Sequence, residues 1–254
     1  MDNRGVTEVI GFVLVFSLVL ATIGLVYVGG LSSLDDSRDA ERLNNAERAF
    51  DVLADNSQTM ARGGSPNRAT EISLSEAQLS VETRTRSNVS VANESMQNAD
   101  GTPITRSRPI RYSTGGETSI VYEFGAVLRE QEDGARMIRE PDFVFSEERT
   151  TVRYIAVRGG EQNVGGSTTV LVRGELRSNS IELHSGDHEN VTYQMTTSET
   201  RADAWIEYFE SELEGMDGAC SREPDGAETV VIDCTFETDT VYVARSEIDV
   251  QLSN

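Results

Sequence analysis

The chain has 254 residues, 43 of them Asp or Glu against 22 basic ones, every one an arginine, giving a net charge of −21. So acidic and lysine-free a surface excludes nucleic acid and anionic lipid headgroups as partners, because both require positive charge. It suits a protein kept soluble in very high salt, where screening removes long-range repulsion, and it predicts a halophilic source.

The first element is the most apolar. From Val9 to Leu34 no residue is charged, and Val9 to Val28 is almost wholly apolar. About 20 such residues at ~1.5 Å rise span roughly 30 Å, the thickness of a bilayer's hydrocarbon core. A transmembrane helix is predicted over 9–31. The run is too long for a secretory signal peptide, and Tyr27-Val28-Gly29-Gly30 makes a poor cleavage site. Arg4 precedes the span, whereas Asp35, Asp36, Asp39 and Glu41 follow it. The positive-inside rule then puts the N-terminus in the cytoplasm and the C-terminal domain outside. A plain membrane anchor is one reading of this segment.

A second reading rests on Arg4-Gly5-Val6-Thr7-Glu8, directly before the apolar run. These residues resemble the prepilin-type signal of archaeal type IV pilins and archaellins, and Val6-Thr7-Glu8-Val9-Ile10-Gly11 is similar to the start of a haloarchaeal pilin. The resemblance covers residues 4–30. It implies a leader of residues 1–5, cut by a prepilin peptidase between Gly5 and Val6 after Arg4, with the apolar helix kept on the mature protein. It also implies an assembly role for Glu8, pairing with the amine of Val6 on a neighbouring subunit. In bacterial pilins that acid is fifth in the mature chain; here it would be third.

Gly29-Gly30 predicts a soft point, and Ser33-Leu34-Asp35-Asp36 a second helix start. An amphipathic extension is predicted over 34–62, because Leu43, Ala46, Phe50, Leu53 and Met60 recur at three-four spacing. Stacked end to end, the two helices would make a rod about 80 Å long. The stripe serves either to pack on the chain's own head domain or to associate with other copies. Gly63-Gly64-Ser65-Pro66 ends it.

Residues 63–254 are predicted to form an extracellular, β-rich head, making the whole an α+β protein with mainly antiparallel strands. Strands are predicted at 119–124, 151–157, 168–172, 180–183 and 191–195, with turns at Gly115-Gly116, Gly159-Gly160 and Gly165-Gly166. One helix interrupts them over 200–214. Its capping box would be Thr200 to Asp203, and Ala202, Trp205, Ile206, Phe209 and Leu213 share its apolar face. Trp205 reads as a core anchor. A closing hairpin is predicted from 230–232 and 240–243, with a last edge strand over 246–252. Cys220 and Cys234 are expected to form a disulfide, as suits an outward-facing domain.

No catalytic constellation emerges, so no enzyme activity, cofactor or metal is expected. His184 and His188 lack a third ligand. The glycine-rich run 159–166 lacks the lysine of a phosphate loop and reads as a hairpin connection. Three N-x-S/T sequons, at Asn88, Asn93 and Asn190, are candidate glycosylation sites. The expectation is therefore a membrane-anchored, pilin-like surface protein, with the membrane, a prepilin peptidase and other pilin-like subunits as partners. The alternative is a single-pass anchored binding or structural domain that does not polymerise.

Overall fold

A computed structural model describes residues 4–92, 94–96, 104–116, 118–226 and 228–254. Side chains of 4–8, 28–36, 185, 187 and 188 lie outside the description. In chain order the elements are α1 (Arg4–Ala61), β1 (Asn67–Ser73), β2 (Ala77–Val81), β3 (Thr85–Val91), β4 (Glu94–Ser95), β5 (Thr105–Ser107), β6 (Ile110–Ser113) and β7 (Ser119–Glu123). There follow β8 (Ala126–Gln131), β9 (Gly134–Arg139), β10 (Thr150–Arg158), β11 (Gln162–Gly166), β12 (Thr169–Ser198), α2 (Glu199–Glu212), β13 (Gly218–Pro224) and β14 (Thr229–Ser253). The protein is α+β with a β-rich head. Two compact units divide it, Met1–Arg42 and Leu43–Asn254.

The first unit is helical throughout its described residues. Gly29-Gly30 does not interrupt α1, and no second start occurs at Ser33. A glycine in a helix interior costs only about 0.5–1 kcal/mol relative to alanine, which a long propagating helix absorbs.

The second unit holds the C-terminal part of α1, two sheets and α2. Leu43, Ala46, Phe50, Leu53, Ala54 and Met60 are all buried, so the apolar stripe serves the chain's own core. Arg129 donates to Glu47 at 2.9 Å, and Asn179 caps the helix by donating to the Ala61 carbonyl at 2.9 Å. Gly63 then takes the left-handed conformation (φ 79°) that ends the helix.

The larger sheet has eight strands, with β10-β14-β12-β3-β4 in order and β1, β13 and β5 joined to β12, β14 and β3. Its pairs are antiparallel except β10 with β14, which is parallel. The smaller, six-stranded sheet runs β11-β2-β6-β7-β8-β9. Its β7–β8 turn is Phe124-Gly125, both at positive φ (49° and 99°), the backbone that a two-residue hairpin loop demands. Two cores result. One packs α1 against Ile72, Leu79, Tyr112, Ile120, Val157 and Val250. The other packs Trp205, Tyr208 and Phe209 of α2 against Phe124, Tyr154, Tyr193, Ile232 and Val243.

Several predicted boundaries are corrected. The strands expected at 168–172, 180–183 and 191–195 are one strand, β12, because β-bulges at Leu176/Ser178 and Ser185/Glu189 absorb the apparent breaks. His184 consequently sits within this strand. The predicted hairpin and edge strand also merge, into β14. Val230, Ile232, Cys234, Phe236 and Thr238 alternate inward there, so Asp233 and Glu237 are outward strand residues rather than turn residues. Nor is β14 an edge, since β10 and β12 flank it. The run 159–166 connects strands of different sheets and contains β11. The cap of α2 is Ser198, not Thr200: its hydroxyl accepts from the Arg201 amide at 3.3 Å.

Cys220 and Cys234 are bonded, as a directly paired couple on β13 and β14. Replacing both with serine should lower unfolding stability by about 3 kcal/mol, for a closed loop of this length. Denaturant titration of the full chain in detergent checks this. An unchanged midpoint would mean that the edge strand needs no tether.

Candidate functional site

The most exposed apolar surface is on α1. From Val9 to Tyr27 the helix is long and apolar enough to cross a membrane, and none of that stretch is buried. Its large apolar side chains are between 46 % and 78 % exposed. Phe12 and Phe16 stack one turn apart, with ring centroids 6.0 Å from each other. Apolar surface so extensive and contiguous marks a face that lipid or another chain covers. The Gly5–Val6 bond lies in the first turn of α1. The side chains of Arg4, Val6 and Glu8 fall outside the description, and so does the pairing expected of Glu8.

The sequons differ in access. Asn190 is exposed on β12. Asn88 is half-buried on β3: its Nδ2 donates to Ser95 Oγ at 3.1 Å, and its Oδ1 is buried with no partner among the described residues. Asn93 lies outside the described residues. His184 Nε2 is 3.6 Å from Glu189 Oε1 across the bulge, and the side chain of His188 is not described. Among the described residues no group of three or more His, Cys, Asp or Glu side chains could hold a metal.

Sequence reasoning missed a buried charge cluster beneath α2. Arg201 Nε lies 3.2 Å from Glu123 Oε2, and its Nη1 lies 2.8 Å from Glu130 Oε1. Trp205 Nε1 and Thr197 Oγ1 donate to the same Glu123 oxygen at 3.0 and 2.8 Å. Arg111 bonds both Glu130 and Glu82, closing the cluster on the solvent side. Glu123 is fully buried, and its other oxygen has no partner among the described residues. Burial works against the guanidinium of Arg201, but the charges of Glu123, Glu130 and Glu82 outweigh it and hold its pKa above the ordinary value. One guanidinium thus spans carboxylates from β7 and β8 and clamps α2 to the smaller sheet. Spacing places Arg201 four residues before Trp205, on the same face of the helix, but nothing local in the sequence points to the two buried acids it meets.

Above this cluster opens a polar cleft of about 850 Å³, whose walls include Glu82, Arg84, Arg111, Asn163, Thr200 and Arg201. Three of those six are arginines, two of them already held by carboxylates.

Residues 4–251 match a family described as a family of unknown function (DUF7289). No curated protein and no solved structure matches the chain.

Proposed function

The chain belongs to the DUF7289 family, and we propose that it is a membrane-anchored, prepilin-like surface protein of a halophilic archaeon, acting as a minor type IV pilin subunit. The observation that carries this reading is the position of Arg4-Gly5-Val6-Thr7-Glu8 directly before a membrane-length apolar stretch, Val9–Tyr27, of which nothing is buried. The span of α1 holds the protein in the membrane before assembly and packs against neighbouring helices in a filament. Arg4 before the span, acids after it and the Cys220–Cys234 bond favour a cytoplasmic N-terminus and an extracellular head. Of the two sequons described, Asn190 is the one whose exposure suits a glycan.

Mass spectrometry of protein extracted from membranes tests the reading. The expected product begins at Val6, and Gly5→Phe abolishes it. A terminus at Met1 or Asp2, with no species at Val6, would overturn the prepilin assignment.

One observation favours the alternative, an anchored domain that never polymerises. The stripe from Leu43 to Met60 is consumed by the head's own core, leaving only the membrane-length segment of α1 for helix–helix assembly. Crosslinking through Phe12 or Phe16 separates the two readings: multimers are expected of a subunit, and monomers alone would establish the plain anchor.

A further inference from the structure

On the face of the larger sheet turned away from α2, β12 and β14, with Val144 beside β10, present apolar side chains to solvent. Across β12, β14 and β10 one row is Leu183, Tyr242, Thr151 and, by a bridge, Val144; the next is Ile181, Ala244 and Arg153. Ile181 is 73 % exposed, Leu183 56 % and Val144 48 %. The intervening residues Val241, Val243, Val152 and Tyr154 belong to the core beneath α2, so the two sets lie on opposite faces of one sheet.

Two adjoining hollows, of about 350 and 400 Å³, share Arg153, Ile181 and Ala244 in their walls. Their charged lining is three arginines, Arg62, Arg149 and Arg153, against one carboxylate, Asp142. Arg62 and Arg153 both bind Asp142, at 2.9 and 3.0 Å. Arg149 has no ion pair among the described residues. In a chain of net charge −21 this is a local excess of positive charge around an apolar floor.

The complementary surface is on the other side of the same sheet. Asp203, Glu207, Glu210 and Glu214 follow one another at three-four spacing along the exposed side of α2 and just past its end, and among the described residues Arg222 pairs with Asp203 and Glu199 alone. Like charges one turn apart weaken a helix, so this ridge is kept at a cost.

We propose that the arginine-rimmed apolar face around Ile181 binds the acidic ridge of α2 on a second copy of the chain. A two-fold contact would need patch and ridge to face the partner together, but they lie on opposite faces of one sheet, so the contact is head-to-tail. Head-to-tail contacts repeat, closing into rings or running on as filaments. The contact thus deepens the assembly reading above and rests on it for its biological sense. At high ionic strength only charges in contact count, so Ile181, Leu183 and Val144 supply affinity while the Arg–Glu pairs set orientation.

The test uses the full chain in membranes, where the native cysteines are bonded and an introduced cysteine is the free thiol. Ile181→Cys and Glu210→Cys chains are mixed and oxidised. Crosslinks between the two variants are expected, with little from either alone. Arg149→Glu with Arg153→Glu on the Ile181→Cys chain should cut the yield about tenfold, and Glu207→Arg with Glu214→Arg on the partner should restore it. No mixed crosslink, or equal self-crosslinking of Ile181→Cys, would overturn the proposal. The N-terminus is read by mass in the same samples. A Val6 terminus without crosslinks defeats this contact alone, whereas crosslinks with an intact Met1 or Asp2 terminus defeat only the prepilin assignment.

Discussion

Replacing Arg201 with methionine is expected to destabilise the head by about 3–5 kcal/mol, the usual cost of removing one partner of a buried pair. Methionine fills much of the same space, so the loss is electrostatic. Glu123 and Glu130 would stay buried without the guanidinium that now spans them at 3.2 and 2.8 Å. Glu130 would keep Arg111 as a partner, whereas among the described residues Glu123 would keep only the neutral donors of Trp205 and Thr197. In the parent, the raised Arg201 pKa leaves its contribution complete below the ordinary arginine value and lost only at more alkaline pH. Adding Glu123→Gln and Glu130→Gln to Arg201→Met should recover part of the loss. A single variant within about 1 kcal/mol of the parent would show that water, not arginine, supports the pair.

Phe50→Ala should be comparably damaging, at about 3–5 kcal/mol. Phe50 is fully buried in the core that α1 forms with both sheets. Val52, two residues on, is 51 % exposed, and Val52→Ala serves as the control with an effect within about 0.5 kcal/mol. Chemical unfolding of the full chain in detergent reads both. Were the stripe an association surface, Phe50→Ala would leave unfolding unchanged and alter only crosslinking between copies.

These two residues also mark how far the sequence could be read. Phe50 was legible because helical periodicity records which face is covered, and the stripe from Leu43 to Met60 is buried as spaced. What the period leaves open is the covering partner; the choice between head and neighbour needed Ile72, Tyr112 and Val157, distant in sequence. Trp205 and the cysteine pair were legible for similarly local reasons. Arg201 was not, because an arginine on a helix is ordinarily a solvated charge; only the meeting of β7, β8 and α2 gives it two buried acids. The long strands failed differently. Alternation is a short-range signal, and a bulge such as Ser185/Glu189 shifts its phase without ending the strand. The Ile181 face was invisible because its rows come from three strands, one of them parallel to its neighbour.

The order of the larger sheet constrains when the head can form. β10 is an edge strand whose neighbour in that sheet is β14, and β12 receives its full-length partner from β14 as well. β14 follows the other elements in chain order, yet it lies between strands that come well before it. Its pairs with β12 begin near α2, Ser198 with Thr229, and run to Leu171 with Ser253, closing ever longer loops. Both cores also draw side chains from β14, so neither is complete before it arrives. Folding of the head is therefore a late, non-local and comparatively slow event. A head that emerges β1 first would keep its strands unpaired and close in one step, once the strand that both cores wait for has followed.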